Sequence, residues 1–70
     1  MRYAIGIEKA EGNYSAYVSD LPGSVATGAT VAYVEAEMRE AIAFHLAGLR
    51  EDGIAIPEAA SQVEYIEVTA

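Results

Sequence analysis

The sequence predicts an α+β fold in which a three-stranded antiparallel meander, one long helix and a final strand follow one another. Three patterns point to this class: period-two alternation of apolar residues near the start, adjacent proline and glycine in Asp20-Leu21-Pro22-Gly23, and a helical apolar stripe between Thr30 and Gly53. With 70 residues, the chain has room for a single domain spanning 1–70.

The meander is expected within the first 28 residues. Apolar side chains alternate with small or charged ones over residues 2–8, which is typical of a half-buried strand. Turn-forming residues at 9–13 precede a second strand over 14–19, where tyrosines and valine favour β structure. The Pro-Gly turn then reverses the chain into a third strand over 24–28.

The helix is expected to begin after Thr30, whose hydroxyl suits an N-cap, and to end before Gly53, which suits a left-handed terminator. It would span roughly 22 residues, or about 33 Å at 1.5 Å per residue. One face of it is predicted to lie on the sheet, and that face carries Val31, Val34, Met38, Ala41, Ile42, His45 and Leu49.

The last element predicted is a strand over residues 63–68, whose composition of valine, isoleucine and tyrosine favours β structure. Small residues and Pro57 make residues 54–61 a loop. A strand after the helix is expected to return beside the first strand, which gives the order βββαβ.

Size and composition limit the stability and the location of the protein. A chain of 70 residues without cysteine buries a small core and has no disulfide, so we expect a homo-oligomer. No secretory leader pattern or bilayer-length apolar run occurs, which favours the cytoplasm over the membrane. The net charge of −7 repels nucleic-acid phosphates and attracts basic proteins.

The residue types that carry catalysis or metal binding are sparse. His45 is the only histidine, and no serine or aspartate lies near it at helical spacing, so a packed histidine is expected. Glu8 and Asp20 end strands that are expected to be neighbours, but two carboxylates are few for a magnesium site. The glycines form no phosphate-binding pattern. The sequence therefore assigns no catalytic residue, no metal ligand and no cofactor.

A second helical stripe carries Tyr33 and Phe44, eleven residues or about three turns apart, with Glu37 and Glu40 on the same side. Aromatic side chains flanked by acids suit a protein interface. Alternatively, one or both aromatic rings fold against the loop around 54–56.

Residues 5–8, the run YSAYVSDLPGSVATG over 14–28, and the segments REAIAFHLAGLREDG and IPE within 39–58 closely resemble HicB-type antitoxins. The ordered combination of SDLPG, VATG, the helix end LREDG and the IP pair is specific. The chain differs from the common family pattern at Ser24, where cysteine is usual, and at Ala32 and Tyr33, where acids are usual.

The resemblance implies a fold like a degraded ribonuclease H core. It also implies a binding partner of the HicA type, a small basic toxin that cleaves messenger RNA, which the antitoxin would sequester without catalysing a reaction itself. Many HicB proteins carry a second domain that binds operator DNA, and these 70 residues show none, so we expect no direct nucleic-acid binding. Candidates for the toxin contact are Tyr17, Asp20, Leu21, Pro22, Tyr33 and Phe44.

Two alternatives to a toxin-binding module remain. In the first, the chain is an orphan oligomeric domain with a structural or regulatory function and no toxin partner. In the second, it is a residual magnesium-dependent nuclease that uses Glu8 and Asp20.

Overall fold

A computed structural model describes residues 1–69 and shows three strands followed by one helix. The elements are β1 (Ile5–Ala10), β2 (Asn13–Val18), β3 (Val25–Gly28) and α1 (Val31–Glu51). The strands form one antiparallel sheet in the order β1-β2-β3. The predicted α+β class, the meander and the long helix are confirmed.

The first hairpin is tighter than the sequence pattern predicted. Ala10 pairs with Asn13, so only Glu11 and Gly12 form the turn, and β1 begins at Ile5 instead of Arg2. The reason is the positive φ of 81° at Gly12, because a two-residue hairpin turn needs the left-handed conformation that glycine adopts freely.

The core lies between α1 and one face of the sheet. Ile7 of β1, Ala16 of β2 and Ala26 of β3 lie opposite one another, and their side chains face the helix. Gly6, Tyr17 and Val25 are aligned on the other face, which no element covers in residues 1–69. The buried apolar residues are Ala16, Val18, Leu21, Val34, Met38 and Leu46. Most of the predicted helical stripe packs on this core, whereas Val31 is exposed and Leu46 was missed.

Both ends of α1 are capped as the sequence predicted. The Thr30 hydroxyl accepts a hydrogen bond from the backbone N–H of Tyr33 at 3.1 Å. At the other end, Gly53 has a φ of 69°, and the N–H of Ile54 donates to the carbonyl of Leu49 at 2.9 Å. This pairing is a Schellman motif and ends the helix after 21 residues.

The predicted final strand over residues 63–68 is wrong: residues 54–69 contain neither helix nor strand. Strand propensity reflects packing on a half-buried pleated surface, and these residues are exposed on both sides instead. The preceding loop is fixed at two places, where the Tyr3 hydroxyl donates to the carbonyl of Pro57 at 2.6 Å and where Ser61 bonds to Asp20. Beyond Ser61 the chain passes near β1 without pairing with it.

Candidate functional site

The helix returns alongside β3, because only Ala29 and Thr30 connect the two elements. α1 packs against β3 and β2 and brings Tyr33 to the last residue of β3 and Phe44 to its first. A surface groove of about 390 Å³ lies beside Phe44. Its lining is mostly apolar and comprises Gly23, Ser24, Val25, Ala41, Phe44, His45, Gly48 and Leu49. β3 is at the end of the sheet, so its outer edge has no partner strand among the described residues.

Five side chains at helical spacing follow this edge, and we refer to them as the aromatic–acidic stripe: Tyr33, Glu37, Glu40, Phe44 and Glu51. The intervals of four, three, four and seven residues keep them on one side of α1. Arg39 lies five residues from Phe44, which places it roughly 140° round the helix at 3.6 residues per turn. The stripe therefore has acids around its aromatic rings and no basic residue.

The three exposed aromatic candidates differ in what they cover. A Cβ added at Gly6 would lie 2.6 Å from Cε1 of Tyr17, so this ring lies directly on the glycine opposite it in the sheet. Tyr33 covers Gly28 in the same way, with Cε2 2.8 Å from the position of an added Cβ. Phe44 remains 83% exposed. Phe44 is thus the aromatic side chain with the largest uncovered surface on the stripe.

The Asp20 carboxylate is occupied within the chain. Its Oδ2 accepts hydrogen bonds from the backbone N–H groups of Ser61 at 3.0 Å and Ala60 at 3.1 Å, and its Oδ1 accepts one from the Ser61 hydroxyl at 2.9 Å. The hydrogen bonds from the Ser61 backbone and hydroxyl lower the pKa of Asp20 below its ordinary value of 3.8. Desolvation raises this pKa, and the bond from Ala60 lowers it further. Asp20 therefore anchors the loop that follows α1.

Leu21 and Pro22 are adjacent but have opposite environments. Leu21 is completely buried in the core, whereas Pro22 is exposed at the turn between β2 and β3. The turn is closed by the N–H of Ser24, which donates to the carbonyl of Leu21 at 3.2 Å. Pro22 adjoins the groove at Gly23, and Leu21 supports the turn from below.

His45 has a partner that helical spacing did not reveal. The hydroxyl of Ser24 lies 3.4 Å from Nδ1 of His45, and Ser24 is buried. Ser24 is 21 residues earlier in the chain and reaches the ring across the packing of β3 on α1. Within residues 1–69, this hydroxyl is the one side-chain hydrogen-bond partner of the ring. The ring is therefore packed between α1 and β3, with a hydrogen-bond partner that is distant in the chain and not local as predicted.

The two acids considered for magnesium are far apart. Glu8 lies opposite Ser15, which is five residues before Asp20, and this separation corresponds to roughly 16 Å along a strand. Glu8 lies in β1 and Asp20 follows β2, which are neighbouring strands as expected, but the hairpin register separates the two acids along the strand direction. In the described part of the chain, no three histidine, cysteine, aspartate or glutamate residues are grouped as metal ligands.

Val25 belongs to the groove but was not among the sequence candidates. It lies opposite Tyr17 on the uncovered face of the sheet and is strongly exposed. Its place next to Phe44 depends on the direction of the helix, which strand alternation does not reveal.

Among residues 1–69, no helix combines the length and the apolar character required to cross a bilayer.

Comparison with known proteins gives two matches. A family model described as HicB-like antitoxin of bacterial toxin-antitoxin system matches residues 3–69. An uncharacterized 14.9 kDa protein from the rep-hol intergenic region of Haemophilus phage HP1 is 36% identical over 66 residues. The match covers 94% of this chain and 50% of the phage protein, so the chain spans half the length of that relative.

Proposed function

This chain belongs to the HicB-like antitoxin family of bacterial toxin-antitoxin systems, and from that premise we propose that it binds and neutralises a small basic toxin of the HicA type. The toxin would cleave messenger RNA in the cytoplasm, and the antitoxin would block it without catalysing a reaction itself. The observation that carries the proposal is the aromatic–acidic stripe beside the free edge of β3.

Charge supports a basic partner. The chain carries eleven acidic and four basic side chains, and three of the acids lie on the stripe. A protein that binds RNA needs a positive surface, and a negative partner surface would accelerate its association and cover the same positive groups. The antitoxin would therefore compete with RNA for the toxin surface.

Phe44 supports the proposal through its exposure. A phenyl ring that is 83% exposed in the free protein gains from burial in an apolar pocket of a partner. Interface hot spots are typically a few large side chains at the centre, surrounded by polar residues. Phe44 between Glu40 and Glu51 has this arrangement. Tyr17 opposite Val25, Pro22 beside Gly23, and Tyr33 three turns away on the stripe would be secondary contacts. Leu21 and Asp20 act indirectly by shaping the adjoining turn and loop.

Co-expression with the small basic protein encoded beside this chain tests the function directly. We expect the two proteins to purify together, and we expect the ribonuclease activity of the basic protein to disappear when the antitoxin is added. Active toxin in the presence of excess antitoxin would contradict the proposal. A genome without such a neighbour would favour the orphan oligomeric domain instead.

Substitutions on the stripe locate the contact. Phe44→Ala removes the anchor and is expected to weaken toxin binding by about 2 kcal/mol, or about 30-fold in Kd. Glu37→Lys with Glu40→Lys changes the net charge from −7 to −3, since each substitution adds two positive charges, and is expected to slow association at least tenfold. The matched control Glu8→Lys with Glu11→Lys makes the same change on the first hairpin, away from the stripe. Equal slowing by both pairs would show that net charge alone matters.

A further inference from the structure

Residues 63–68, which we term the arm, combine strand composition with an unusual degree of exposure. The large apolar side chains Val63, Tyr65, Ile66 and Val68 are 53% to 93% exposed. The Cα radius of gyration is 13.8 Å, against about 11 Å for a compact chain of 70 residues. Such a concentration of exposed apolar groups in so short a segment marks an interaction site.

Within residues 1–69, the sheet has an unpaired edge on the side of β1, opposite the β3 edge. The outer edge of β1 is unpaired among the described residues, and α1 packs on β2 and β3 instead of covering β1. A surface groove of about 320 Å³ is therefore open between β1 and α1. Its lining is largely apolar and consists of Met1, Tyr3, Ile5, Glu35, Met38, Arg39 and Ile42.

A strand added to the edge of β1 would fill this groove. Successive side chains of a strand point to opposite faces, so Ile66 and Val68 share one face of the arm while Val63 and Tyr65 share the other. With Ile66 and Val68 in the groove, strand alternation would direct Tyr65 to the outer face of the sheet, the face that carries Tyr17. Glu64 accompanies Ile66, and Arg39 at the groove offers it an opposite charge. The arm thus complements both faces of this edge.

The arm does not occupy the edge of its own sheet. Its start is fixed by the bonds between Ser61 and Asp20. A groove of about 360 Å³ separates residues 61–65 from β1, and one of about 480 Å³ separates residues 61–64 from residues 2–4. Neither Ile66 nor Val68 lines the groove between β1 and α1. One chain therefore carries an unpaired donor strand and an unpaired acceptor edge.

We propose that the arm pairs with β1 of a second copy of this chain, so that two copies exchange arms about a two-fold axis. In the dimer, each of the two arms pairs with the β1 edge of the other copy. No arm and no β1 edge then remains unpaired, so the assembly closes at two subunits. It also adds apolar burial to a small core of six buried apolar residues in a chain that has no cysteine. The β3 edge and the aromatic–acidic stripe lie at the opposite end of the sheet and remain free for the toxin.

Light scattering of the purified chain at micromolar concentration tests the exchange. We expect a mass of about 14.8 kDa, twice the 7.4 kDa of one chain. Ile66→Asp with Val68→Asp should weaken dimerisation at least 100-fold and leave the helical circular dichroism unchanged, because both side chains are exposed in the single subunit. The matched pair Val25→Asp with Phe44→Asp also charges two exposed apolar residues, but on the β3 side, and should remain dimeric.

Isotope-filtered NMR on a mixture of labelled and unlabelled chains identifies the contact itself. Nuclear Overhauser effects between copies, joining the Ile66 and Val68 methyls to Ile5 and Ile42, would support the exchange. The same effects found within one copy, a monomeric native chain, or a dimer that survives in the arm variant would each overturn it. The dimer is independent of the toxin, so an arm variant that is monomeric but still neutralises toxin supports both proposals, whereas failure of toxin binding leaves the dimer result intact.

Discussion

Asp20 and Leu21 are neighbours in the turn after β2, and each stabilises a different part of the molecule. The Asp20 carboxylate fixes the loop at Ala60 and Ser61, while the Leu21 side chain fills the core beneath the turn. Both were candidates for the toxin contact because they lie where the second and third strands join. The hydrogen-bond partners of Asp20 lie 40 and 41 residues further along the chain, and Leu21 packs among residues of the core. The local sequence reveals neither set of contacts.

The attachment of the loop to Asp20 is expected to depend on pH. Because hydrogen bonds lower the pKa of the folded carboxyl below 3.8, the ionised form stabilises the fold at higher pH, and this contribution is lost as the pH falls below about 4. The carbon chemical shift of the carboxyl, followed by NMR, should therefore titrate with a midpoint below 3.8. The protection factors of the Ala60 and Ser61 amides, which correct for the intrinsic pH dependence of exchange, should fall over the same range and in Asp20→Asn at neutral pH. A midpoint at or above 3.8 would contradict the anchoring role.

Leu21→Ala is expected to reduce the free energy of unfolding by about 2–5 kcal/mol, since it leaves a cavity at a fully buried site. Urea denaturation measures the loss. Val25→Ala, at an exposed position of the same sheet, is the control and should cost less than about 1 kcal/mol. If the two substitutions had equal effects, Leu21 would not be part of the core.

At the scale of elements, the sequence predicted the features that interactions between nearby residues determine, such as the two ends of α1. Thr30 and Gly53 delimit α1 because a capping hydroxyl and a left-handed glycine act within a few residues. The arm forms no strand within the single subunit, because composition indicates β propensity but does not determine whether a segment pairs with a sheet edge beside it. The Ser24–His45 contact and the groove beside Phe44 were likewise invisible, since both arise from the return of α1 along β3.

Thr30→Ala should destabilise the protein by about 1 kcal/mol, because the N–H of Tyr33 loses its acceptor at the first turn of α1. Thermal or urea unfolding followed by circular dichroism measures the change. Thr30→Ser keeps the hydroxyl and should restore most of the stability. A serine variant as unstable as the alanine variant would assign the effect to the lost methyl group instead.

At the scale of the whole molecule, the surface is divided between two ends of one sheet. The β3 end carries the exposed Phe44 and the acids of the stripe, and the β1 end carries the open groove and the arm. The net charge of −7 acts over the entire surface, so its effect on association extends beyond the contact residues.

Salt is therefore expected to act mainly on the rate of toxin association. The electrostatic screening length falls from about 30 Å at 0.01 M to about 3 Å at 1 M ionic strength. Association measured by stopped flow should slow at least tenfold across this range, while dissociation, governed by the burial of Phe44, should change little. An association rate insensitive to salt would rule out electrostatic steering.

The pairing of every strand with its neighbour in the chain has a kinetic consequence. β1 meets β2, β2 meets β3, and α1 folds back on β3 after two linking residues, so the contacts between successive elements close short loops. Short loops lose little entropy on closure, and chains built from them reach the native state quickly. All six buried apolar residues lie between Ala16 and Leu46, so the subunit completes its core without the arm. Exchange of arms is then a separate, slower and concentration-dependent step between subunits that have already folded.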